Sequence, residues 1–143
     1  MAEPGGYYGL KDAAKQKARA ADACPLATQD VGLNLKNRQR AIQTAMYGPA
    51  NPEQPGDYFE KIAAEWGVPV AQAKTMRCGN CRVFIVSPKM QECIQLGLES
   101  GGGDEYDVLV ASELGYCEMF DFKCAASRTC RAWVTGGPIT EDR

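Results

Sequence analysis

Residues 115–139 read GYCEMFDFKCAASRTCRAWVTGGPI and contain three of the chain's seven cysteines. Cysteines, glycines and aromatic residues follow one another here with no period of 2 or 3.6, which predicts turns wrapped around a bound group. Phe120 stands three places after Cys117, and Trp133 stands three places after Cys130. Taken singly, such a phenylalanine is an ordinary core residue. Several aromatic side chains interleaved with thiols instead favour the dry wall of a buried inorganic cluster.

One pair of cysteines has the C-x-x-C spacing, in Cys78-Gly79-Asn80-Cys81. Two thiolates at this spacing grip a metal centre from a single turn, but the motif serves zinc, redox disulfides and iron–sulfur clusters alike. Zinc ribbons normally supply a second such pair, and this sequence has none. A thioredoxin-type motif follows a strand, whereas the residues before Cys78 read as helix. The spacing therefore favours a metal or cluster site without fixing which.

Two features of the composition exclude whole classes of function. The 143 residues include no histidine, which removes Ser-His and Cys-His nucleophile pairs, Rieske clusters and Cys-Cys-His-His zinc fingers. We see no secretory signal peptide and no run of about 18 apolar residues, so we expect neither export nor a membrane span. Because intracellular thiols are usually reduced, the seven cysteines favour metal ligation over disulfides.

Charge divides the chain into two parts. Residues 1–40 hold seven basic and four acidic residues, whereas the remainder holds nine and 14. We therefore predict a basic helical arm over 1–40, serving for docking or as an extension, and a cluster domain over 41–143. A helix over 10–22 has strong propensity but few large apolar residues, so it needs a partner surface to pack on.

Glycine, proline and capping residues predict the remaining elements. A first helix should end at Cys24-Pro25, and Asp57 with Glu60 predicts a capping box for a helix that ends at Gly67. The predicted fold is small, α+β and irregular, with a helical N-terminal half and a turn-rich, cysteine-ligated C-terminal half around one bound group. The resemblance described next implies that this group is one iron–sulfur cluster. The predicted elements are helices over about 33–46, 58–66, 69–76 and 88–98 and a brief strand over 83–86.

The cysteine and aromatic pattern resembles that of the high-potential iron–sulfur proteins over roughly residues 41–137. In that family four cysteines bind one cubane of four irons and four sulfides, and a tyrosine from an Ala-rich helix lies against it. The sequence AIQTAMY, at 41–47, is similar to that helix. The ligands implied for a 4Fe-4S cluster are Cys78, Cys81, Cys117 and Cys130. The implied neighbours of the cluster are Tyr47, Phe120 and Trp133.

The chain departs from that family in its missing signal peptide, its N-terminal arm, a longer span between Cys81 and Cys117, and three additional cysteines. A second resemblance would explain the missing signal peptide. Chains with ACPLATQD (here 23–30), LNLKNRQ (33–39) and RCGNC (77–81) are similar to small iron–sulfur proteins encoded by tailed phages of cyanobacteria. This resemblance implies a virion component that contacts other virion proteins through its arm. The expected locations are then the host cytoplasm during infection and the virion.

The three additional cysteines have simpler interpretations. Cys93 falls on the apolar side of its predicted helix, so we expect a buried core thiol. Cys24 ends a helix and is expected to be structural. Exposure to oxygen would let Cys124 pair with Cys93. Spacing does not fix connectivity, so ligand sets that use Cys93 or Cys124 stay open.

The resemblance to the high-potential iron–sulfur proteins implies outer-sphere transfer of one electron at a time, to a redox partner protein, by a protein that is not an enzyme. A dry pocket disfavours the most negative cluster state, so the couple should have a high potential. One alternative is a zinc- or cluster-stapled structural module of a virion. Another is a helix-turn-helix over 63–73, but its second helix offers only Lys74 and Arg77 as cations. Since the sequence pI is about 5.2, nucleic-acid binding is disfavoured.

Overall fold

The structure is a computed structural model that describes residues 23–101 and 113–142. The predicted helix over 10–22 lies outside these residues. The described helices and strands form a small mixed fold with one antiparallel sheet, which confirms the coarse fold class. In chain order they are α1 (Leu26–Gln29), α2 (Val31–Ala45), α3 (Tyr58–Trp66), α4 (Val70–Ala73), a 3₁₀ turn (Cys78–Asn80), β1 (Phe84–Ile85), α5 (Pro88–Gly101), β2 (Leu114–Cys117) and β3 (Phe122–Ala125).

The long helix α2 has clear start and stop signals. The Asp30 carboxylate accepts a hydrogen bond from the Leu33 N–H at 3.0 Å, which caps the first turn. The helix ends where Met46 adopts the left-handed conformation, with φ of 58°. Inside the protein, the side-chain oxygen of Asn34 accepts the Lys123 N–H at 2.7 Å and so fixes α2 against β3.

The predicted boundary between residues 40 and 41 falls inside α2. The Asn37 side chain donates a hydrogen bond to the Asp121 carbonyl at 2.7 Å, and Arg40 donates to the Phe120 carbonyl at 3.3 Å. Both contacts join this part of the chain to the loop between β2 and β3. Residues 24–40 therefore pack on the rest of the structure and do not form the separate arm that the charge distribution predicted.

Helix α1, which the sequence did not predict, lies against α5. A disulfide joins Cys24 to Cys93. Gly97 allows the close approach, because a Cβ atom there would lie 1.6 Å from the Thr28 carbonyl oxygen. The expectation that Cys93 is a free core thiol, able to pair with Cys124, is therefore wrong. Cys93 is buried on its helix, as predicted, but Cys24, which lies just before α1, meets it there.

The helices after α2 follow the predicted order with one local difference. α3 ends at Gly67, whose left-handed φ of 66° matches the predicted stop. The capping box predicted from Asp57 and Glu60 does not form, since Asp57 has φ and ψ of -93° and 14° rather than the extended conformation of an N-cap. Its carboxylate lies 3.4 Å from the Lys61 ammonium instead.

The sheet corrects the expectation that residues from 115 onward form turns alone. Its strand order is β1-β2-β3, and β2 pairs with β3 from Leu114 opposite Ala125 to Cys117 opposite Phe122. Every residue of both strands is buried. Because both faces of the sheet are covered, the strands show no alternation of polar and apolar residues, and this is why periodicity did not reveal them.

The two faces of the sheet contribute to separate cores, because successive side chains point to opposite sides. Ile85 and Tyr116 lie in one core together with Ala27 and Ile139. A third core, around Phe59, lies under α3 and α4. The remaining core contains the thiols, and its buried members are Ala41, Tyr47, Cys78, Cys81, Phe84, Cys117, Phe122 and Cys124.

Candidate metal centre

The five cysteines outside the disulfide line one cavity. They are Cys78, Cys81, Cys117, Cys124 and Cys130. The rest of its wall is apolar and consists of Val83, Phe84, Met119, Phe120, Ala132 and Trp133. The cavity volume is about 20 Å³, which is room for one water molecule. A larger group would enter only if the thiol side chains rotated apart.

The C-x-x-C turn is held by backbone hydrogen bonds to the segment that follows β3. The Cys78 N–H donates to the Arg128 carbonyl at 2.7 Å, and the Gly79 N–H donates to the Ala126 carbonyl at 3.0 Å. A Cβ atom at residue 79 would lie 3.1 Å from the Ala126 Cβ, so glycine permits this approach. These bonds bring the turn next to the chain segment that carries Cys130.

Asn80, which the sequence analysis did not single out, connects this turn to Trp133. Its side-chain oxygen accepts the Arg77 N–H at 3.0 Å and the Trp133 indole N–H at 2.9 Å, and its amide nitrogen donates to the Thr75 carbonyl at 2.7 Å. The indole N–H also lies 2.9 Å from the Arg77 carbonyl. The polar edge of Trp133 is thus satisfied while its ring lines the cavity.

Backbone N–H groups point at three of the five sulfur atoms. In each case one donor lies two residues after the cysteine that it contacts. Such donors stabilise negative charge on a thiolate sulfur and tune a bound metal. The pairs are Val83 and Val134 with Cys81, Met119 and Phe120 with Cys117, and Ala132 with Cys130. The Val134 nitrogen, in the turn after Trp133, lies 3.4 Å from the Cys81 Sγ.

Burial and hydrogen bonding move the thiol pKa values in different directions. Desolvation raises the pKa of Cys130 to about 12 and also raises the pKa of Cys81. The pKa of Cys117 is lowered, chiefly by a hydrogen bond from the Cys124 thiol. The pKa of Cys124 itself lies well above its usual value, mainly because the side chain is fully buried. Metal ligation requires thiolates, so binding at this site would release protons.

The structure places Tyr47 beside these thiols. Its ring meets the Phe122 ring edge-on with centroids 4.9 Å apart, and its hydroxyl accepts the Ala125 N–H at 2.9 Å. Burial, followed by the nearby Cys124 and Cys78 sulfurs, raises the pKa of Tyr47 far above its usual value. The phenol is therefore neutral and acts as part of the wall of this core.

Two arginines lie next to the Tyr47 ring. The guanidinium carbons of Arg38 and Arg128 stand 5.8 Å and 5.7 Å from its centroid, within the range of cation–π contacts. Arg128 also donates a hydrogen bond to the Ala50 carbonyl at 3.3 Å. Their positive charges favour negative charge in the adjacent core.

Of the remaining residues nominated from the sequence, Phe120 and Cys124 lie at the cavity and Cys93 does not. Phe120 is half-buried in the cavity wall, and its backbone N–H donates to Cys117. Cys93 is removed from any ligand set by its disulfide with Cys24. Cys124, for which the sequence left a ligand role open, lines the cavity and contacts two of the proposed ligands.

Within 23–101 and 113–142, no group of three or more His, Cys, Asp or Glu side chains is placed to hold a metal ion. A zinc site needs its thiolates to converge on one ion at about 2.3 Å. In a 4Fe-4S cluster each cysteine binds its own iron, so the thiols surround the cluster without meeting at one point. Within these ranges the thiols therefore form no ready-made site for a single zinc ion.

The region that resembles a helix-turn-helix has another geometry. α4 is four residues long, about one turn, whereas a recognition helix must reach along a major groove. The Arg77 guanidinium lies 4.6 Å from the Phe59 ring centroid and donates to the carbonyls of Lys74 and Ser127. This cation is therefore used to hold the C-x-x-C turn in place.

No protein family, curated protein or solved structure matches this chain. In the part of the chain that the structure describes, no helix has the length and apolar character needed to cross a membrane.

Proposed function

We propose that this protein binds one 4Fe-4S cluster and transfers single electrons at high potential. The ligands in this proposal are Cys78, Cys81, Cys117 and Cys130. The observation that carries it is the set of backbone N–H groups directed at the sulfurs of Cys81, Cys117 and Cys130 inside an apolar cavity. A thiol that serves only as a core residue needs no such donors.

The four proposed ligands come from three chain segments. Cys78 begins the 3₁₀ turn and Cys81 caps its end, Cys117 ends β2, and Cys130 follows the loop after β3. Hydrogen bonds between the turn and residues 126–128 already hold two of these segments together. Ligation would join all three, so the free energy of cluster binding would also stabilise the fold.

The side chains around the site favour a high-potential couple. A bound cluster would supply reversible one-electron chemistry between two oxidation levels. The apolar wall excludes water, which makes the most negatively charged level costly. The available couple is then the one between the two less negative levels. The N–H donors and the charges of Arg38 and Arg128 stabilise added negative charge, and so raise the potential of this couple.

Electrons would leave where the site comes nearest to solvent. Cys130 is the one free cysteine, among those described, that is only half-buried. Its neighbours at the cavity wall include Trp133, which is partly buried, and Met119, which is 44% exposed. This apolar opening is the place where we expect a redox partner protein to approach the cluster.

Metal and sulfide analysis of protein purified without oxygen tests the proposal. We expect a brown protein with about four irons and four acid-labile sulfides per chain. Cys117→Ser should lose most of the iron. The Cys24→Ser/Cys93→Ser double variant is the matched control and should retain it, because the disulfide lies outside the thiol core. Stoichiometric zinc, without iron or sulfide, would refute the cluster assignment.

Redox titration separates an electron carrier from a structural staple. A carrier should cycle reversibly between a paramagnetic oxidised state and a diamagnetic reduced state. A cluster that is lost in every cycle would refute electron transfer while leaving cluster binding intact.

A further inference from the structure

Cys124 is a fifth thiol in a site that needs four ligands. It lies on β3, is 1% exposed and lines the same cavity as the proposed ligands. Its side chain is hydrogen-bonded with both Cys117 and Cys78. The function proposed above leaves this buried thiol without a role.

The fold fixes the position of Cys124 from both sides. Its register partner on β2 is Gly115, whose missing side chain leaves room for the Phe84 ring. The next residue, Ala125, is held by the hydrogen bond from its N–H to the Tyr47 hydroxyl. The Cys124 thiol therefore faces the other thiols of the cavity, and it cannot turn toward solvent without breaking the sheet.

We propose that Cys124 is a positioning residue that sets the potential of the cluster by donating its S–H to a ligand sulfur, without binding iron itself. This inference rests on the proposed function. A buried donor that lacks an acceptor costs free energy, and ligand thiolates are the strongest acceptors next to Cys124. The hydrogen bond strengthens as negative charge on the acceptor grows, so it favours the reduced cluster.

The chemistry of the ligand set supports this division of roles. A cubane has four irons, and each accepts one thiolate from the protein. Cys81, Cys117 and Cys130 receive backbone N–H donors, and Cys78 shares the C-x-x-C turn with Cys81. The contacts that the structure gives to Cys124 are instead with the sulfurs of two of these ligands. It is therefore placed as a donor beside the ligands.

Three substitutions at residue 124 test the inference in the full chain. Cys124→Ala and Cys124→Val remove the donor, and Val keeps the core filled if Ala proves unstable. Cys124→Ser keeps a hydroxyl donor. All three should bind as much iron as the wild type and show its absorption spectrum. At the wild-type midpoint potential, the ratio of reduced to oxidised cluster should fall about tenfold in Ala and Val, equivalent to about 59 mV for one electron. Ser should stay near the wild-type ratio.

Each outcome decides the question. An unchanged midpoint potential in Ala and Val would overturn the donor role. Loss of iron from well-folded Ala and Val variants, with a changed spectrum in Ser, would show that Cys124 is a ligand and would also overturn it. A wild-type protein without iron would refute the proposed function, and this inference with it.

Discussion

Removal of the Cys24–Cys93 disulfide should destabilise the protein strongly without emptying the site. The bridge closes a loop with a sequence separation of 69 residues. In the chain-entropy treatment, a loop of that length stabilises the folded state by about 4 kcal/mol, because it restricts the unfolded chain. Small domains are stable by only about 5–15 kcal/mol, so this is a large share of the total.

Urea unfolding of the Cys24→Ser/Cys93→Ser variant measures this effect. At an m-value of roughly 2 kcal/mol/M, the midpoint should fall by about 2 M. Wild type treated with reductant should behave like the variant, provided that iron content stays constant. Iron content should stay at the wild-type level, since Cys24 and Cys93 lie outside the thiol core. A midpoint within about 0.3 M of the wild type would show that this bridge does not constrain the chain.

Three further predictions concern the sheet, the thiols and the N-terminal segment. Gly115→Ala would place a Cβ 2.4 Å from the Phe84 ring, so thermal unfolding should show a loss of about 1–3 kcal/mol; an unchanged melting temperature would contradict the packing. The pKa of Cys130 is raised from 9.0 to about 12, so the folded apoprotein binds this proton more tightly than the unfolded chain does. This contribution to stability is complete below pH 9 and is lost as the pH rises toward 12, so the decline in the denaturation midpoint over that window should be smaller in Cys130→Ser than in wild type. Deletion of residues 1–22 should leave cluster binding intact. The second resemblance implies a virion component that contacts other virion proteins through its N-terminal segment, so the deletion should also abolish co-purification with particles; continued co-purification would place the contact elsewhere.

Much of the helical fold could be predicted because its signals are local. Gly67 ends α3 as expected, and the helix predicted over 33–46 corresponds to α2. α1 was missed because a helix of four residues has no periodicity to detect. The charge-based boundary at residue 40 failed for a related reason. The contacts of Asn34 and Asn37 with the far end of the chain span more than 80 residues, and nothing in their local sequence reports them.

The candidate site was only partly visible in the sequence. The C-x-x-C spacing and the Trp133 position carried local information, and the structure places both at one cavity. The role of Asn80 as a link between the turn and Trp133 depends on tertiary contacts. The pairing of Cys93 with Cys24 does so as well, because spacing alone does not determine which cysteines meet.

The iron and acid-labile sulfide content of anaerobically purified full-length protein decides whether a 4Fe-4S cluster is bound. We expect about four of each per chain in the wild type, and their loss in Cys117→Ser. A wild-type protein that contains neither iron nor sulfide after anaerobic purification and reconstitution would contradict this expectation.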